Sequence, residues 1–244
     1  MATLRVTPLG RFGRRVEGLH AQALSPGSEE VAGLNRLLDA HLVVAVAGQE
    51  FDPNGFVAFA GLLGALRPSR VPDPTLPEPA RHHLFVSASS GPGAPARPPS
   101  ADAAHIWHVD YTTQPTVPAR SLQYARDMPV DGSRTGFMDM RRVHAALPPA
   151  LQARIAGLSV LHYTHPTGVD WLPDGAGMQL PWEQRLQGKA HPLVTRAADG
   201  RPSLFLPAHR DSPVRAMAPM AYAPRFRGST DNTLTMTASF MRGG

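Results

Sequence analysis

The stretch WHVDYTTQP, Trp107 to Pro115, sets a histidine and a carboxylate two positions apart among bulky and β-prone residues. Extended backbone sends alternate side chains to the same face. In a strand, His108 and Asp110 therefore project together, while Trp107 and Val109 point the other way. Two such side chains can reach one metal ion. The spacing alone is weak evidence, because the chain carries 11 histidines and two polar residues on the solvent face of a strand give the same pattern. His105 lies three positions earlier and would face away, which argues against joint ligation.

Working outward, the segment before this stretch, GPGAPARPPSAD (Gly91 to Asp102), is too rich in Gly and Pro to hold a helix. It reads as a long loop beside the candidate site, either a lid or a plain connection. Before it, HLFVSAS (His83 to Ser89) reads as a strand and Arg67 to Pro79 as loop. Nearer the N-terminus, Ser28 to Leu38 reads as a helix, with Ser28 as cap, Glu29 and Glu30 at the positive end, and Val31, Leu34, Leu37 and Leu38 as an apolar stripe. HLVVAVAG (His41 to Gly48) reads as a buried strand, and Asp52-Pro53 opens a second helix ending at Gly64.

After the stretch, Ala119 to Pro129 has strand character, and Asp131 to Met140 reads as a turn and then a strand. Two short helices follow, broken at Pro148-Pro149, and then a strand from Leu158 to Tyr163. Thr164 to Ala190 is irregular; its Trp171 and Trp182 could line a pocket or cover a loop. His191 to His209 reads as a hairpin turning at Asp199-Gly200. There is no internal repeat, no alternating βαβ series, no Gly-rich phosphate loop and no G-x-S-x-G elbow. The expected class is α+β, mainly β.

The totals narrow the function. At 244 residues and 42% apolar, the chain has enough material for one good-sized domain or two small ones. No apolar run reaches the roughly 18 residues of a membrane span, and MATLRVTPLGRFGRR lacks the apolar core of a secretory signal. The absence of cysteine removes disulfides, zinc thiolates, iron–sulfur clusters and thiol nucleophiles, and fits a cytoplasmic protein. The net charge of +5 comes from scattered arginines and the one lysine, Lys189. No basic run is interleaved with aromatics, so no nucleic-acid partner is expected, whereas anionic substrates suit the charge.

Longer blocks carry more than the pair. WHVDYTTQP, then ARSLQYARDMPVDGSRTGFMDMRRVHAALPPALQARIAGLSVLHYTHP, then HPLVTRAADGRPSLFLPAH, with LVVAVAGQEFDPNGFVAFAGLLGAL upstream, resemble successive blocks of the taurine dioxygenase and 2,4-dichlorophenoxyacetate dioxygenase family. The resemblance runs in unbroken order from about Leu4 to about Met217. It implies a double-stranded β-helix (jelly-roll, cupin-like) core with flanking helices, in a single domain over residues 1–244. It also implies Fe(II) and the co-substrate 2-oxoglutarate, hydroxylation of a small organic anion, and release of succinate and CO2. By this resemblance His108 and Asp110 match the first two iron ligands. Thr135, in the SRTGF turn, matches the threonine that hydrogen-bonds 2-oxoglutarate. His191-Pro192 and the strand ending at His209 match a block near the family's substrate entrance. Family members often associate, which leaves a homo-oligomer open.

The C-terminal part departs from the pattern. The family carries Trp-Asp-Asn-Arg-x-Thr-x-His, whose last histidine is the third iron ligand, and a downstream arginine for the far carboxylate of 2-oxoglutarate. Here Thr230 stands for the Trp, Asp231-Asn232 and Thr235 match, Thr233 replaces the Arg, and Thr237 falls at the ligand position. Arg242 is too close to Thr237 to substitute for the arginine. The segment from about 218 to 244 thus reads as shortened, whether by truncation or by a shifted frame. A threonine hydroxyl is a poor Fe(II) ligand beside imidazole, and a lost arginine removes a charge-paired contact. His162, His165, His191 and His209 are alternative third ligands. Two expectations follow: a dioxygenase with an impaired or atypical metal site, or a non-catalytic jelly-roll relative that binds a ligand without turnover.

Overall fold

The computed structural model describes residues 4–69, 72–84, 107–114, 116–125, 135–163, 188–196, 200–207, 214–216 and 233–237. In chain order the elements are β1 (Arg5–Pro8), β2 (Arg14–Glu17), α1 (Glu29–His41), β3 (Val44–Val46), α2 (Pro53–Leu63), β4 (Ala65–Leu66), β5 (Arg120–Gln123), α3 (Met140–Ala145), α4 (Pro149–Ile155), β6 (Leu158–Tyr163), β7 (Gly188–Pro192), β8 (Val194–Arg196), β9 (Pro202–Leu204), β10 (Val214–Ala216) and β11 (Thr233–Thr237). Among the described residues, short strands outnumber helices, as the α+β, mainly β reading expects. The chain divides into two compact units. One comprises Met1–Ser89, Pro118–Asp139 and Ser229–Gly244, the other Ser90–Val117 and Met140–Gly228.

In the first unit the helices follow their caps. Ser28 Oγ accepts from the Val31 N–H at 3.4 Å, and α1 buries Val31 and Leu34. The helix runs to His41, three residues beyond the expected end, and stops where Leu42 turns to φ 66°. That turn displaces the start of the following strand, so the strand expected from His41 to Gly48 shrinks to Val44–Val46. At α2, Asp52 Oδ1 accepts from the Gly55 N–H at 2.6 Å, Pro53 takes the first position, and Gly64 closes the helix. The sequence reading missed β1 and β2. Their antiparallel hairpin turns through Gly10 (φ +64°) and Gly13 (φ +91°). Gly13 also lies tight against Val43: a Cβ there would sit 3.1 Å from the Val43 carbonyl oxygen. β2 then pairs in parallel with β3, making one crossover through α1.

The core of this unit gathers Val16, Leu19, Val31, Leu34, Phe56, Leu63 and Leu84, with Leu122 and Tyr124 of the β5 segment packed against it. Removing each large apolar side chain from water contributes about 1.5–3 kcal/mol. Phe51 stacks on Phe59 with ring centroids 5.4 Å apart and meets Tyr124 edge-on at 5.4 Å. The Tyr124 hydroxyl is satisfied too, accepting from the Phe51 N–H at 3.0 Å and donating to the Gln49 carbonyl at 3.3 Å. Gln49 ties the segment after β3 to the segment after β2. Its amide donates to the Leu19 and Ala47 carbonyls at 2.7 and 2.8 Å, and its oxygen accepts from the Ala21 N–H at 2.9 Å. Arg120 anchors β5 to α1 through Asn35 and, at 2.7 Å, Asp39. β11 lies between β4 and β5, parallel to both, with Thr237 opposite Gln123.

In the second unit α3 and α4 are separated at Pro148-Pro149 as expected, and β6 spans Leu158–Tyr163 as expected. β6 is the centre of a sheet ordered β10-β6-β7. β8 and β9 form the expected hairpin, with Gly200 at φ +80° in its connection. The expected hairpin boundary at His191 is corrected: His191 and Pro192 belong to the preceding strand β7, paired with β6.

Two further expectations need correction. The strand expected before Met140 does not form over 135–139, and Met140 starts α3 instead. Extended backbone needs a ladder partner for its N–H and C=O groups. Among the described residues no strand pairs with 135–139, and Phe137 and Met138 stay 54% and 46% exposed. The strand expected from His83 does not begin there either, since His83 caps a short 3-10 turn over Ala80–His82. The remainder of that strand, the Gly91–Asp102 loop, His105, Trp171, Trp182, His165, His209 and Arg242 lie outside the described residues. No helix among the described residues is long and apolar enough to cross a membrane.

Candidate metal centre

His108 and Asp110 come together, but not as strand residues. Positions 107–109 are irregular and 110–113 form a turn. The turn is closed by the Gln114 N–H donating to the Tyr111 carbonyl at 3.1 Å. Tyr111 takes φ +59°, a left-handed conformation that a bulky residue rarely adopts. The chain thus reverses directly after Asp110. His108 Nε2 and Asp110 Oδ1 lie 3.5 Å apart, with 45% and 47% of their side chains exposed. The two groups converge and remain open to solvent.

Such a pair suits a metal. Donors about 2.1 Å from one ion at right angles lie about 3 Å apart, so closing the observed gap by about half an ångström lets both bind. Imidazole with carboxylate is also the donor chemistry of non-haem iron. The pair fits two of three protein ligands. Among the described residues no group of three His, Cys, Asp or Glu could hold a metal ion. Thr135 is exposed and lies, with Thr237, in the first unit, whereas His108 and Asp110 lie in the second.

The two described histidines raised as third ligands have other surroundings. Val160 pairs with His191 across β6 and β7, so His162, two residues on, shares the face of His191. Their rings meet edge-on at 5.1 Å, and Phe205 stacks on His162 at 4.6 Å. His162 is 1% exposed, and among the described residues neither ring nitrogen has a hydrogen-bond partner of good geometry. Burial first, and then the neighbouring His191, lower its pKa to about 4, against an opposing pull from the Phe205 backbone. His191 Nε2 meets the Thr112 carbonyl at 2.7 Å. Its pKa is also lowered, by burial first, with the Thr112 backbone opposing and Lys189 adding to the decrease. The sequence raised both histidines as alternative third ligands, and the structure gives each other contacts. The bond from His191 to Thr112 spans 79 positions and leaves no local signal. Asp139 is buried.

A histidine–carboxylate pair on a turn, in a chain of short strands and few helices, defines a candidate mononuclear metal centre. The comparisons give the class. The family model for taurine catabolism dioxygenase TauD, TfdA family, matches residues 5–231. The chain belongs to the TauD/TfdA family. It is 30% identical over 198 residues to the alpha-ketoglutarate-dependent 2,4-dichlorophenoxyacetate dioxygenase of Cupriavidus pinatubonensis, covering 75% of this chain and 66% of that one. Among solved structures it resembles one from Burkholderia xenovorans assigned as an alpha-ketoglutarate dependent 2,4-D dioxygenase (TM-score 0.58, 23% identity, 85% of this chain and 70% of that chain). It also resembles a taurine dioxygenase from Burkholderia xenovorans (TM-score 0.53, 19% identity, 83% and 63%) and AAD-2 in complex with Mn(II) and N-oxalylglycine (TM-score 0.55, 20% identity, 85% and 70%). These likenesses imply a jelly-roll fold. The chain spans about two thirds of the length of these relatives.

Proposed function

We propose that this protein is an Fe(II)- and 2-oxoglutarate-dependent dioxygenase that hydroxylates a small organic anion, with His108 and Asp110 as two of the metal's protein ligands. The observation that carries this reading is the 3.5 Å approach of two solvent-accessible donors on a sharply reversed turn. Family membership supports the rest. When bound, the iron with 2-oxoglutarate supplies oxidising power toward a C–H bond, with succinate and CO2 as by-products. The chain's own share is to hold that centre. His108 presents a neutral imidazole nitrogen, and Asp110 presents a negative oxygen that offsets part of the ferrous charge. Thr135 is the residue we assign to hydrogen-bond 2-oxoglutarate. The two units are read as parts of one dioxygenase domain over residues 1–244 with a double-stranded β-helix core, which the continuous match over 5–231 supports. Relatives named for 2,4-dichlorophenoxyacetate, a carboxylate, and taurine, a zwitterion with a sulfonate, support a small organic acid with an anionic group as substrate. We place the protein in the cytoplasm.

A second reading, a ligand-binding relative without turnover, is favoured by one observation: Thr237 falls at the position of the third ligand. Oxidation of 2-oxoglutarate separates the readings, because only the first consumes it with release of CO2. Incubating the protein with Fe(II), ascorbate, O2 and carboxyl-labelled 2-oxoglutarate is expected to release labelled CO2, and His108→Ala is expected to lower the release to the protein-free background. Background release from the native protein would select the second reading.

A further inference from the structure

We propose that His191 is a positioning residue for the metal pair: by donating from Nε2 to the Thr112 carbonyl it holds the turn that aims the Asp110 carboxylate at His108. The inference rests on the assignment of His108 and Asp110 as ligands.

A carbonyl oxygen only accepts hydrogen bonds, so the 2.7 Å contact requires the proton on His191 Nε2. That fixes the tautomer and makes the ring a donor aimed at one atom. The atom is two residues beyond Asp110, inside the turn at 110–113. A turn whose Tyr111 sits at φ +59° costs about 1–3 kcal/mol and persists only where neighbours over-determine it. The bond from β7 is such a neighbour. It reaches Thr112, which is 9% exposed.

The donor itself is held rigidly. His191 sits on β7 with Val160 directly across the ladder, and its ring is flanked edge-on by His162 at 5.1 Å and Phe205 at 5.3 Å. The flanking rings block rotation of the imidazole plane. The chain of support therefore runs from the three-stranded sheet, through one imidazole, to a backbone oxygen and so to the carboxylate. Outer partners of this kind change metal affinity by about 10–100-fold when removed.

The test compares His191→Gln, which keeps an amide donor at similar reach, with His191→Leu, which keeps bulk without a donor. Mn(II) alone is the probe, and loss of its free six-line electron paramagnetic resonance signal gives the dissociation constant. His108→Ala is measured beside them. The expected result is that Gln binds within about 3-fold of the native protein and Leu binds about 10–100-fold more weakly. Hydrogen exchange over residues 107–117, in the metal-free protein, is expected to be faster in Leu than in Gln. Equal affinity in all three overturns the proposal, and so does equal weakening in Gln and Leu, which would mark a packing role. If Leu fails to fold while Gln folds, His191 is structural and the proposal also falls. If His108→Ala binds Mn(II) as the native protein does, the ligand assignment fails first, whatever the His191 variants do.

Discussion

Replacing Asp110 with asparagine, or His108 with alanine, is expected to weaken Fe(II) or Mn(II) binding by at least about 100-fold, beyond the 10–100-fold that outer partners contribute. The asparagine variant is the sharper test. It keeps the shape of the side chain and removes the negative charge, so it isolates the carboxylate's electrostatic share. Neither change is expected to cost fold stability. Both side chains are about half exposed, and exposed substitutions away from caps and cores stay within about 0.5 kcal/mol. Anaerobic calorimetric titration together with a thermal melt measures both quantities. Loss of affinity with an unchanged melting temperature is the expected pattern. Retained affinity in both variants would remove the pair from the metal centre. A large fall in melting temperature would instead assign the pair a structural role.

The second large effect concerns acid stability. His162 is buried against Phe205, with a folded-state pKa of about 4 against an ordinary 6.5. Between those two values the unfolded chain takes up a proton that the folded chain refuses. Stability is therefore constant above the unfolded value and falls as pH drops from about 6.5 toward 4, after which this contribution stops changing. A shift of this size corresponds to about 3 kcal/mol over the window. His191, lowered in the same direction, adds to the fall. His162→Phe preserves the ring stack and removes the titration. Urea unfolding at pH 7.5 and pH 5 is expected to show a large pH difference in the native protein and a much smaller one in the variant. An unchanged pH difference in the variant would mean that His162 is protonated, or already solvated, in the folded state.

Much of the first unit was legible because its signals are local. Ser28 and Asp52 cap the two helices where the sequence places them, and Gly64 ends the second. The same holds in the second unit for the Pro148-Pro149 break and the β8–β9 hairpin. The losses have physical causes. β1 and β2 form a hairpin through two positive-φ glycines, with a parallel partner in β3 that no local pattern announces. The segment at 135–139 has the composition of a strand but pairs with no strand among the described residues. At the site, the His-x-Asp spacing was visible and its convergence was expected. Its cause was misassigned: a reversed turn at Tyr111, not a strand, carries the pair. Conformations of that kind are set by tertiary contacts such as the bond from His191 to Thr112, which local sequence does not encode. Family resemblance, borne over long blocks, reached further than spacing did, and the match over residues 5–231 bears it out.

The central claim is that His108 and Asp110 hold a ferrous ion together with 2-oxoglutarate. Anaerobic addition of Fe(II) and 2-oxoglutarate to the native protein, followed by visible spectroscopy, tests it most directly. The expected result is a metal-to-ligand charge-transfer band that requires both additions and is lost in His108→Ala and Asp110→Asn. No band at millimolar 2-oxoglutarate, or the same band in the two variants, would contradict it.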